Sequence, residues 1–288
     1  MKRISPTGDL GFKKVLGSEE NKDILAGLIK DFFDVTAEEI TIESPYSIAL
    51  CKRVAQGKEE TLLSETIKDV AASFRTADFV SEVQIKKTLF FDERSLYYPL
   101  DRFCKNYDKA GHMTADAKGR PIRFSSLRPV YALNILGYNH FQDEDALRIF
   151  ELYDPVRQKS FKQLLRLGYF ELKKRGIETS NQGHWHDYFN TGEVNPEAPE
   201  YIRRASGIIE YINLSEEERD VARTLEKARA IYDTELVSSF FEGKDEGEIT
   251  AKTEVVINLL KRGMDDREIM EITGLSSEQV RGIRAERQ

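Results

Sequence analysis

A mixed α/β core followed by a helical C-terminal part is the fold class that this sequence of 288 residues predicts. Three observations predict it. The first half carries short apolar or alternating runs separated by polar breaks, the signature of strands. One run, RPVYALNILGY at 128–138, is continuously apolar, as a strand buried on both faces would be. From about residue 185 onward the apolar spacing lengthens to three and four, the helical repeat. Strands first and helices after fit an α/β or α+β core with a helical extension.

The elements follow in order. SPTGDLGFKKVLGSEENKDILAGLIKDFFD reads as two short helices, with Ile24, Leu25, Leu28, Ile29, Phe32 and Phe33 as a core-facing stripe. ITIES reads as a strand, and the polar stretch from Cys51 to Ser64 as a loop or helical turn. IKDVAASFRTADFVSEVQIKKT, 67–88, reads as two strands and a turn. FFDERSLYYPLDRFCKNYDKAG predicts a helix whose apolar side is Phe91, Leu96, Tyr97, Leu100 and Phe103. Pro99 is expected to kink it or end a turn. Residues 110–126 read as a polar loop. LRIFELYDP and LGYFELKK predict two further strands around a polar, partly helical connection.

Beyond these, Ser215 with Glu218 forms a capping box. EGKDEGEITAK reads as a charged hinge with two glycines. The last segment predicts three short helices: Gly263 and Gly274 are C-caps, and Asp265 with Glu268 and Ser276 with Gln279 are start signals. The predicted organisation is a core over 1–180, a helical extension over 181–243, and the hinge with a small helical tail over 244–288.

Composition narrows the function classes. Forty per cent hydrophobic and 32% charged residues describe a globular chain rather than a disordered one. No apolar run approaches the ~18–20 residues of a membrane span. The opening MKRISPTGDLGF has no apolar core of a secretory signal. Cys51 and Cys104 lie far apart and match no metal spacing, so a reduced, cytoplasmic setting is expected. A net charge of −7 argues against a general nucleic-acid coat but leaves room for a local basic groove.

The acids of the hairpin set the chemical question. Val70, Ala72 and Phe74 share one face of the first strand, and Asp69, Ala71 and Ser73 the other. Phe79, Val83 and Ile85 oppose Glu82, Gln84 and Lys86 on the second. A turn through Arg75, Thr76, Ala77 and Asp78 pairs Phe74 with Phe79, Asp69 with Gln84 and Ala71 with Glu82. Asp69 and Glu82 are then diagonal neighbours, roughly 7–8 Å apart, within reach of one Mg²⁺ or Mn²⁺ ion. Two such carboxylates repel unless a cation or proton sits between them. A hard cation there could activate a water and offset charge developing on a phosphate. A one-residue shift of register would dissolve the arrangement. The same alternation also describes a hairpin with one solvated face.

The constellation resembles the PD-(D/E)XK nuclease fold, and more narrowly the PD-(D/E)XK nuclease family transposases, also called the Rpn recombination-promoting nucleases. The matching pieces run in family order: SPTGDLGFKKVLG with Asp9, Phe12 and Lys13; KDV with Asp69; SEVQ with Glu82 and Gln84; ERSLYY with Arg94 and Tyr98; RPVYALNIL; and YFELKK. TGLSSEQV resembles the tail of many members. The resemblance implies a restriction-endonuclease-like core and Mg²⁺- or Mn²⁺-dependent cleavage of DNA, linked to recombination or mobile elements. It implies Asp69 and Glu82 as metal ligands and Gln84 in the place of the usual lysine. Glutamine can orient a water or phosphate but carries no charge; Lys86 or Lys13 would supply it, and Arg94 or Lys86 would offset developing charge. The alternative from another class is a degenerate relic of the fold that binds DNA or protein without cleaving.

Other patterns are weaker. Asp9 and Lys13 share a helix face and either support the site or form a plain i, i+4 pair. Glu171-x-Lys173 is a second E-x-K, without a preceding Asp hairpin. His184 and His186 do not share a helix face, so zinc is rejected, and Trp185, Tyr188 and Phe189 read as core. No phosphate-cradling glycine motif or nucleophile elbow occurs. The tail has helix-turn-helix spacing, with Arg281 and Arg284 as candidate phosphate contacts, yet its charges balance. It serves equally as a module for homo-oligomer contacts.

Overall fold

The computed structural model describes residues 2–43, 45–55, 70–108, 118–120, 124 and 127–285. Most of the predicted loop at 110–126, much of that at 51–64, and Asp69 itself lie outside the described residues. Contacts divide the chain into two compact units, 1–224 and 225–288.

The first unit is built on a six-stranded mixed sheet. Helices α1 (Asp9–Leu16) and α2 (Lys22–Phe33) precede β1 (Thr41–Ile42) and α3 (Ile48–Ala55). Then come β2 (Val70–Phe74), β3 (Ala77–Gln84), α4 (Phe91–Asp108), β4 (Val130–Leu136), β5 (Leu147–Glu151), the short β6 (Tyr153–Asp154) and β7 (Lys159–Ser160), and β8 (Leu165–Glu171). The strand order is β1-β2-β3-β4-β8-β5. β3, β4 and β8 run parallel, and the outer strands pair antiparallel. Helices α5 (Ser180–Thr191) and α6 (Glu200–Ile208) complete the unit. All seven residues of β4 are buried, as its apolar run demands.

The two faces of the sheet are covered differently. On one, Phe32 and Phe33 of α2 lie on Phe79, Tyr131 and Phe170. Gly168 admits this approach: a Cβ there would stand 3.1 Å from the Phe33 ring. Trp185, Tyr188 and Phe189 are buried on α5, the core stripe their spacing predicts. On the other face lies α4, and here the sequence expectation fails. Leu96, Tyr97 and Leu100 point outward; the buried side of α4 is Phe91, Ser95, Pro99 and Arg102, flanked by Arg94 and Tyr98. The reason is the sheet beneath it, which is polar along this face. Glu43, Asp78, Glu82, Gln84 and Asn134 all belong to it by register, and matching these groups outweighs burying more leucine. The helix also runs through Pro99 without ending.

The hairpin register differs from the expected one. Phe74 pairs with Ala77 and Ala72 with Phe79. The turn is only Arg75-Thr76, and neither takes a positive φ, so no glycine is needed. Arg75 is anchored instead by its N–H to the Glu38 carbonyl at 3.0 Å and by an ion pair with the Glu38 carboxylate. The slip is two residues, an even number, so the faces survive. Asp78 moves out of the turn and into the strand, where its side chain is fully buried. It accepts 3.1 Å bonds from both Arg102 and Arg128, while Arg102 also forks onto Glu43.

Two other expectations are corrected. The connection from β5 to β8 contains the β6–β7 hairpin rather than a helix. The expected hinge EGKDEGEITAK is helical: α7 runs unbroken over Glu216–Lys261, its residues carrying their hydrogen bonds past Gly243 and Gly247. Its start is capped as predicted, with reciprocal Ser215–Glu218 bonds of 2.9 and 3.1 Å. In the second unit the end of α7, α8 (Asp266–Thr273) and α9 (Ser277–Ala285) enclose Val256, Ile269 and Val280. Asp265 and Ser276 cap the last two helices, and Gly274 closes α8 with φ of 66°. No helix among the described residues is long and apolar enough to cross a membrane.

Breaking a buried ion pair from one side leaves a charge unpaired, at a cost of about 3–5 kcal/mol. Asp78→Ala is therefore expected to destabilise the protein by about 3 kcal/mol or more, read as a lower urea midpoint at unchanged slope. A loss below about 1 kcal/mol would show that Glu43 alone suffices for Arg102.

Candidate functional site

The carboxyl ends of β3, β4 and β8 lie together, because the three strands are parallel. Crevices at such strand ends are common ligand sites. Glu82, Asn134 and Tyr169 form one row across the three strands on the α4 face, and Gln84 and Glu171 lie one row further on. Asn134 is held by a 3.2 Å bond to the Gly168 carbonyl, and the Tyr169 hydroxyl by Ser95 at 2.7 Å.

Arg94 reaches into this row from the first turns of α4. Its Nη2 donates to the Glu82 carboxylate and, at 2.7 Å, to Oε1 of Gln84. The Gln84 amide is oriented from behind, since Nε2 donates to the Lys86 carbonyl at 2.8 Å. The amide oxygen therefore faces the carboxylate, and two oxygens converge on one positively charged nitrogen. Glu82 is 13% exposed at its side chain and Arg94 26%, so the pair is screened from water without being sealed. The structure thus brings Glu82, Gln84 and Arg94 together. Lys86 contributes its carbonyl, and its side chain points to the exposed surface.

The remaining candidates lie elsewhere or outside view. Asp69 is outside the described residues. Lys13 is buried on α1, and it and Asp9 lie close enough to Cys51 to act on its thiol electrostatically. Burial pushes that thiol up to about 11, so it stays protonated and unreactive at neutral pH. Arg284 pairs with Asp266 and Arg281 is exposed on α9, both in the second unit. Glu171 is not an alternative centre. Its carboxylate accepts from the backbone N–H groups of His140 and Phe141 and pairs with Lys174 at 2.7 Å, not with Lys173. It closes the 139–146 loop onto the sheet.

Tyr138 was not foreseen. It follows β4, packs edge-on against Phe91, and is 8% exposed. Its hydroxyl is buried and has no hydrogen-bond partner among the described residues. Burial raises its pKa to about 12, with Arg94 opposing and Asp92, Glu82 and Glu171 adding to the rise. The sequence signal was available, a tyrosine immediately beyond a buried strand, but nothing in its spacing tied it to Glu82.

A family model described as "PD-(D/E)XK nuclease family transposase" matches residues 6–238. The chain belongs to this family. No curated protein and no solved structure matches it significantly. The mixed sheet with helices on both faces agrees with a PD-(D/E)XK fold, and membership points to nuclease chemistry. Such nucleases generally use divalent metals. Among the described residues no group of three or more His, Cys, Asp or Glu is placed to hold an ion. The donor set nevertheless fits a hard cation: a carboxylate and an amide oxygen, both of the oxygen class that Mg²⁺ and Mn²⁺ prefer, already aimed at one positive group.

A buried hydroxyl without a partner costs about 1–3 kcal/mol. Tyr138→Phe should therefore raise the stability of the metal-free protein by about 1 kcal/mol. Because the folded-state pKa lies above the ordinary value of 10.0, the wild type should also lose stability as pH rises from 10 towards 12, and the variant should lose less. Thermal melts at pH 7 and across that window check both; a less stable variant at pH 7 would mean that the hydroxyl has a partner.

Proposed function

We propose that this family member cleaves DNA phosphodiester bonds with a divalent metal ion, Mg²⁺ or Mn²⁺, at the Glu82–Gln84 site. The observation that carries the reading is the convergence of the Glu82 carboxylate and the Gln84 amide oxygen on a single positive group at the carboxyl ends of the parallel strands of the sheet. Asp69 is the third member. The resemblance of KDV to the family's pattern supplies that acid. Asp69, Glu82 and the Gln84 oxygen would then hold the ion. Bound there, a divalent cation lowers the pKa of a water and offsets charge developing on a phosphate.

The chain's own groups divide the remaining work. Gln84 is oriented by the Lys86 carbonyl, so it presents an acceptor and not a donor to the centre. Arg94 is the positive group that meets the non-bridging phosphate oxygens, since a guanidinium matches their geometry in two bonds. The Tyr138 hydroxyl offers a further donor at the same edge. The apolar floor of Phe91, Leu136, Tyr138 and Tyr169 lowers the local dielectric, which strengthens each of these interactions.

A DNA-binding protein that has lost cleavage is the second reading, and Gln84 in the lysine's place favours it. A cleavage assay decides. Purified protein with Mg²⁺ or Mn²⁺ is expected to nick or cut DNA, chelator to stop it, and Glu82→Ala to reduce it to background. Equal cutting by the wild type and Glu82→Ala removes the site assignment; metal-independent DNA binding without cutting selects the second reading.

A further inference from the structure

Arg94 stands where an ion held by Glu82 and Gln84 would stand. A single guanidinium nitrogen, Nη2, bridges the Glu82 carboxylate and the Gln84 amide oxygen, at 2.7 Å from the latter. The amide cannot turn its oxygen away without breaking the bond from Nε2 to the Lys86 carbonyl. Two positive groups cannot occupy the space between the same two oxygens, on grounds of volume and of repulsion.

The pose of Arg94 also leaves a donor unmatched. Its Nε–H is buried and finds no acceptor among the described residues. The Tyr138 hydroxyl, likewise unpartnered, lies within the field of the same guanidinium. The bonds to Glu82 and Gln84 and the Phe91 ring thus hold the side chain in place while its own Nε–H and the Tyr138 hydroxyl go unsatisfied among the described residues. A quarter of the Arg94 side chain is exposed, so it can leave towards solvent, giving up its place over the Phe91 ring at 5.8 Å while Phe91 keeps its packing on Leu136, Tyr138 and Tyr169.

Resting on the reading of Glu82 and Gln84 as oxygen donors, the geometry points to Arg94 as an internal competitor for the metal seat. In the metal-free protein its guanidinium fills the seat and neutralises Glu82. Entry of a divalent cation would displace it towards solvent, where it could meet a phosphate. Apparent metal affinity is then the intrinsic affinity reduced by the fraction of molecules whose seat is open. An ordinary structural ion pair has the opposite consequence: removing it loosens α4 and weakens whatever the site binds.

Titration calorimetry of Mn²⁺ into the full-length protein separates the two. Arg94→Gln should bind Mn²⁺ roughly tenfold more tightly than the wild type, the gain expected for a seat closed about nine-tenths of the time. Arg94→Lys should fall between, because an ammonium lacks the planar fork, and it carries the test with the same sign should Arg94→Gln fail to fold by circular dichroism. Glu82→Ala should lose the binding. Unchanged or weaker binding by both Arg94 variants, with binding lost in Glu82→Ala, overturns the role of Arg94 and leaves the donor reading standing. Binding by Glu82→Ala equal to wild type, or none by any of the proteins, overturns both.

Discussion

The structure turns on a polar sheet face that must be answered by arginines. β3 places Asp78, Glu82 and Gln84 on one side of the sheet, and the edge next to β1 adds Glu43. Covered by an apolar helix, these groups would be buried without partners. Instead α4 turns its own polar side inward, so that Arg102 answers Asp78 and Glu43 while Arg94 answers Glu82 and Gln84. The two clasps differ in character. The first is deep, with Asp78 fully buried and a second arginine, Arg128, on the same carboxylate. The second is at the strand ends and partly open to solvent. The first clasp is sealed, and the second is within reach of solvent.

That division sets a closely packed core beside a partly exposed polar cluster. The opposite face of the sheet is apolar and closely packed, with Phe32, Phe33, Phe79, Tyr131 and Phe170 in edge and tilted contacts. It fixes β3 and β4 in register, and so fixes where Glu82 and Gln84 emerge. Family membership adds the chemical expectation of a nuclease, and the local geometry says which atoms are available for it.

Much of this was legible in the sequence, and what was not has physical causes. The β4 run, the α2 stripe and the aromatic core of α5 follow from period and polarity alone. The faces of the hairpin were legible although its register was not, because period two survives a slip of two residues. A turn through Arg75, Thr76, Ala77 and Asp78 gives the expected register; the actual turn is Arg75-Thr76 alone, which leaves Asp78 in the strand. The orientation of α4 was misread because the apolar-stripe rule selects Leu96, Tyr97 and Leu100. The pattern that held the answer was Ser95 and Arg102 one heptad apart with Arg94 beside them, which signals burial only once the sheet acids opposite are known. Tyr138 and the backbone role of Glu171 depend on the loop after β4 folding back over the strand ends, a long-range event no local pattern encodes.

In the metal-free site Arg94 serves Glu82 as a cation. A double-mutant cycle with Arg94→Gln and Glu82→Gln, measured by urea denaturation in the presence of chelator, tests it most directly. A favourable coupling of about 1 kcal/mol or more between the two positions is the result this account predicts. Additivity to within about 0.3 kcal/mol would contradict it.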